Sequence, residues 1–165
     1  MMDEAVQDAV SRQIGQELYA GYFYLAISAH FDRRSLLGFS RWMRMQAQEE
    51  LTHAMKLLDF MNHRDATPRL EAVPAPPSEF GQPLALFETA LAHEQEVSRM
   101  IHDLYDLTVK KHDYATQLEL QWFITEQVEE EKMVGTIVEQ LRMAGDNKAA
   151  LLMLDRDLGE RANVP

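Results

Sequence analysis

Glu17, Glu50 and His53 recur 77 residues later as Glu94, Gln127 and Glu130, so the chain carries one acid-bearing helix pair twice. In each half the first acid precedes the second motif by 33 positions, and that motif reads Glu-x-x-His in one copy and Gln-x-x-Glu in the other. Glu49 and Glu126 keep the longer interval too. Apolar pairs persist at it: Val10 with Phe87, Ile14 with Leu91, Met43 with Leu120, Leu57 with Val134. This is the arithmetic of a metal site built between four helices.

Helical periodicity supports the arrangement. Helix A is expected over about residues 3–32, with Val6, Val10, Ile14, Leu18, Gly21, Leu25 and Ser28 on one stripe. Helix B, over about 35–63, takes Ser35 as its N-cap and turns Phe39, Met43, Ala47, Ala54, Leu57 and Met61 inward. Between 64 and 82, Pro68, Pro74, Pro76 and Pro77 deny helix by sterics and by lost donors. Pro83 suits the first turn of helix C, about 83–111, whose Phe87, Leu91, Ser98, Ile101 and Tyr105 share a side. Helix D, about 113–143, faces Leu120, Phe123, Val134, Ile137 and Leu141 inward and closes at Gly145; a short fifth helix follows over about 146–158.

Helices of this size are about 40 Å long, and their short A/B and C/D turns make each pair antiparallel. A connection of about eighteen residues, at up to about 3.3 Å each, can run the length of the bundle and deliver helix C parallel to helix B. The expected fold is all-α: one domain spanning 1–165, a four-helix bundle with a long B-to-C crossover and a short terminal helix.

The repeated polar residues lie on the apolar stripes at matched distances from the turns, so they meet at mid-height. Buried carboxylates are costly unless neutralised, paired or bound to metal, and no inward Lys or Arg stands at that level. A cation is the simplest partner. With no cysteine in the chain, the strong ligands left are histidine and carboxylate. One imidazole among several carboxylates favours iron or manganese over calcium and over structural zinc. His53 is matched by Glu130 and Glu50 by Gln127, so the two metal positions should be chemically unequal.

The formal net charge of −11 argues against nonspecific nucleic-acid binding. No stretch reaches the roughly 18 apolar residues of a membrane span, and the first residues have no basic leader. The chain reads as a soluble, cytoplasmic protein with no membrane partner.

Glu17, Tyr24, Glu49, Glu50, His53, Glu94, Glu126, Gln127, Glu129 and Glu130 together resemble the pattern of the prokaryotic non-haem ferritins, along essentially the whole chain. The resemblance implies a ferritin-like fold and an Fe(II)/Fe(III) centre: one position from Glu17, Glu50 and His53, a second from Glu50, Glu94 and Glu130, Glu50 bridging. Gln127 becomes a weak partner outside them, and Tyr24 a hydrogen-bonding neighbour of the first. A third, inner position is implied at Glu49, Glu126, Glu129 and Glu130. The implied activity is oxidation of Fe(II) by dioxygen or peroxide, with ferric mineral stored in a shell of 24 identical subunits. Two other readings are a haem-bearing cage like the bacterioferritins and a metal-free structural bundle. Bacterioferritins carry a methionine haem ligand after the Glu50 position and a second Glu-x-x-His; Leu51 and Gln127-x-x-Glu130 stand there instead, so no haem is expected.

Overall fold

The computed structural model describes residues 2–161 and consists of five helices in chain order. They are α1 (Glu4–Arg33), α2 (Leu37–His63), α3 (Pro83–Lys110), α4 (Tyr114–Ala144) and α5 (Lys148–Arg161). α1 pairs chiefly with α2 and α3 with α4, and α1 also touches α3. No helix among the described residues is long and apolar enough to cross a membrane.

Local chemistry sets most of the boundaries. Asp3 caps α1 by accepting from the Ala5 backbone N–H at 3.0 Å. Pro83 opens α3, where its missing donor costs nothing. Asp113 caps α4 by accepting from the Thr116 N–H at 3.2 Å, while Arg64, just past α2, binds the same carboxylate at 2.9 Å. That ion pair ties the far end of the first hairpin to the turn of the second. Gly145 ends α4 at φ 50, a left-handed conformation that glycine adopts without a Cβ penalty.

α2 is capped differently from the sequence expectation. Ser35 is not its N-cap; it lies at φ 59 in the preceding turn, and Leu36 holds the cap position without a side-chain bond. The missing acceptor comes from α5, whose Asp155 Oδ1 accepts from the Phe39 N–H at 2.8 Å. α5 packs on α2 and α4 of its own bundle through Leu158, Leu151 and Leu154. Its approach is so close that a Cβ at Gly38 would stand 1.6 Å from the Asp155 carbonyl oxygen.

The apolar interior forms two clusters. One holds Phe23, Tyr24, Ile27, Phe31, Phe39, Trp42, Phe87 and Ile137; the other holds Val6, Val10, Ile14, Leu57, Met61, Ile101, Leu120 and Phe123. The first contains the starts of α2 and α3 and the ends of α1 and α4, so α2 and α3 run parallel and residues 64–82 span the bundle. In α1 the buried stripe beyond Glu17 is Ala20, Tyr24, Ile27 and Phe31. The expected Leu25 is instead half exposed, because it sits on the flank of that stripe beside Tyr22 and, from α2, Leu51.

Candidate metal centre

Between the two apolar clusters lies a polar layer contributed by all four long helices. Glu17, Glu50, His53, Glu94, Gln127 and Glu130 are each buried to 4% exposure or less. Among the described residues no lysine or arginine is buried in this layer.

Glu17, Glu50 and His53 converge: each offers a ligand atom within 4.8 Å of the others. His53 Nδ1 lies 3.3 Å from Glu50 Oε2, as the i, i+3 spacing requires. Glu17 Oε2 and Glu50 Oε1 are buried without a hydrogen-bond partner. Burial, and then the facing charge of Glu50, push the Glu17 carboxyl well above the usual carboxylate range. Burial and the Glu94 charge do the same to Glu50. As two carboxylates this pair is unsatisfied; a shared proton or a cation satisfies both. The indole of Trp122 stands edge-on to the His53 ring at 5.4 Å, and Lys56 Nζ lies over the indole ring at 4.8 Å.

The acids expected to form a second position do not converge with Glu50 in the same way. Glu94 accepts from the Tyr24 hydroxyl on Oε1 and from Gln127 Nε2 at 3.2 Å on Oε2. Tyr24 therefore serves Glu94 and not, as expected, the first position. Gln127 also reaches the Glu94 carbonyl oxygen at 3.2 Å and Ser98 at 3.4 Å. Glu130 accepts from Gln46 Nε2 at 2.9 Å. Burial, then the charges of Glu49, Glu94 and Glu126, raise the Glu130 carboxyl to about 8.

The inner group also differs from expectation. Glu49 and Glu126 converge with His53 within 4.8 Å, whereas Glu129 is exposed and Glu130 is held by Gln46. Glu49, Glu126, Glu129 and Glu130 nevertheless line one cavity of about 510 Å³ between α2 and α4. Of its acids Glu129 is exposed and Glu130 is buried, and Lys132, Met45 and Met133 complete much of the remaining wall.

Sequence reasoning passed over Gln13, which donates to Glu17 Oε1 at 2.8 Å, and Gln46. A signal was present: both glutamines are buried, each stands one turn before Glu17 or Glu50, and the interval between them is again 33.

Residues 7–144 match the family described as the ferritin-like domain. The chain is 38% identical over 162 residues to a bacterial non-heme ferritin of Staphylococcus saprophyticus, covering 98% of this chain and 97% of that one. It is 36% identical over 161 residues to a bacterial non-heme ferritin of Bacteroides fragilis, covering 98% and 100%. Among solved structures it resembles an open pore ferritin of the hyperthermophilic archaeon Archaeoglobus fulgidus, at 46% identity and a TM-score of 0.95 over 96% of this chain and 98% of that one.

Proposed function

The chain belongs to the ferritin-like family, and from that premise we propose that it stores iron after oxidising Fe(II) at the mid-bundle carboxylate layer. The observation that carries this reading is the buried Glu17–Glu50–His53 group with its two unpartnered carboxylate oxygens. Ferrous ion is the substrate that satisfies those oxygens.

Glu17, Glu50 and His53 hold the first ion, and Glu50, free at Oε1, also reaches toward the second. Glu94 and Glu130 supply the second position, which lacks nitrogen and therefore holds its ion less firmly. Each Fe(II) gives up one electron, and dioxygen takes two electrons with two protons to leave hydrogen peroxide. Protons displaced from the raised carboxyls of this layer are at hand for that reduction. Glu49, Glu126 and Glu129 offer ions a path along the α2/α4 cavity.

The subunits assemble into a shell, with 24 copies as the expected number, in which ferric mineral collects. An exposed apolar face on α1 and α2, made by Tyr22, Leu25 and Leu51, supports self-association, since monomers seldom leave such a patch uncovered. The shell works in the cytoplasm.

Anaerobic Fe(II) titration followed by air tests the reading. Two tight equivalents per subunit, fast oxidation, and loss of both in Glu50→Ala are expected. Undiminished rapid oxidation in Glu50→Ala overturns the site assignment, and failure to retain iron beyond the tight equivalents overturns storage.

A further inference from the structure

Glu17 and Glu130 share a feature that Glu50 lacks: a buried glutamine holds one carboxylate oxygen of each. Gln13 donates to Glu17 Oε1 within α1, and Gln46 donates from α2 across to Glu130 Oε2 on α4. Among the described residues no amide or hydroxyl donates to Glu50, whose Oε2 lies 3.3 Å from His53 Nδ1 and whose Oε1 has no hydrogen-bond partner. Because α1 and α2 are antiparallel, Gln13 and Gln46 flank the polar layer from opposite sides, each from the preceding turn of its own helix.

We propose that Gln13 and Gln46 are positioning residues for the two ion positions separately, Gln13 through Glu17 at the first and Gln46 through Glu130 at the second. This rests on the reading of the layer as an iron-oxidising centre. A neutral donor suits the task better than a cation. It fixes the rotation of the carboxylate and occupies one oxygen, so the other is presented to the ion, while adding no positive charge to repel it. Gln13 leaves Glu17 Oε2 as the free oxygen, and that atom is the unpartnered one. Gln46 also lines the α2/α4 cavity, so it holds Glu130 where the acidic path meets the layer. Glu50, which must serve both ions, is left free to turn.

The experiment is anaerobic titration of the full-length assembled protein with Co(II), read by its visible absorption, alongside Fe(II) calorimetry. Wild type is compared with Gln13→Met and Gln46→Met, which keep the length of the side chain and remove the donor. Gln13→Met should weaken the first equivalent about tenfold and leave the second within about twofold, and Gln46→Met should do the converse. A role in packing alone would lower the melting temperature without dividing the two equivalents. Unchanged affinities, or equal loss at both positions in each variant, overturn the proposal. Gln46→His retains an N–H donor and should recover the second equivalent; if Gln46→Met fails to fold, no recovery in Gln46→His overturns that half. Wild type that binds no ion would remove the proposed centre itself, a result distinguishable from two intact equivalents in every variant.

Discussion

The hydroxyl of Tyr24 on α1 donates to Oε1 of Glu94 on α3, joining the two helices across the polar layer. Both groups are buried, so the bond is made where water cannot replace it. Tyr24→Phe should therefore destabilise the metal-free protein by about 1–3 kcal/mol, the cost of leaving a buried acceptor unmet. Urea unfolding measures this, and an unchanged midpoint would show that the bond contributes nothing.

Acidity of the layer gives the metal-free protein an inverted pH dependence. Burial and mutual repulsion raise the Glu17 and Glu50 carboxyls and take Glu130 to about 8, and burial raises Glu94. A folded chain that holds protons more tightly than the unfolded chain loses stability as pH rises from the unfolded value, about 4.5, through the folded one. Stability should accordingly fall between about pH 5 and 8 in the metal-free state. Bound divalent metal should flatten that slope, and its binding at pH 7 should release protons, measurable in weakly buffered solution.

Function and stability should trade against each other at Glu50. Glu50→Gln removes a buried charge that Glu94, Glu130 and Glu49 oppose, so the metal-free variant at pH 8 should gain about 1–3 kcal/mol while losing tight metal binding. Calorimetric melting of the chelator-treated proteins tests the first half. A lower melting temperature in the variant would mean that the carboxylate is already satisfied within the protein.

Docking of α5 depends on the bare backbone at Gly38. A methyl group in Gly38→Ala would meet the Asp155 carbonyl oxygen at 1.6 Å, so α5 must move away and Phe39 must lose its cap. Loss of that cap costs about 0.5–2 kcal/mol. Limited proteolysis should then cut within 148–161 while the four long helices survive. Asp155→Ala removes the cap without the clash, so it should show the stability loss with less cleavage.

Much of this molecule is legible in the chain itself. Pro68, Pro74, Pro76 and Pro77 locate the crossover because proline cannot donate to a helix, and Pro83 and Gly145 mark a start and a stop for equally local reasons. The mid-height meeting of Glu17, Glu50, His53, Glu94 and Glu130 follows from equal distances to the turns. The Ser35 cap does not form because the acceptor for α2 comes from Asp155, more than a hundred residues away.

What the sequence by itself determined is the helical period, the turns, and the height at which acids sit on each helix, since these depend on neighbours three or four residues apart. Only the tertiary structure decided which carboxylate oxygens are free and which are held. Glu17 Oε2 and Glu50 Oε1 stand open, while Tyr24 and Gln127 occupy Glu94 and Gln46 occupies one oxygen of Glu130. It also decided that Leu25 faces outward. Both outcomes turn on the rotation and separation of packed helices, and a hydrogen bond is made or lost over a few tenths of an ångström, far finer than a periodic pattern can specify.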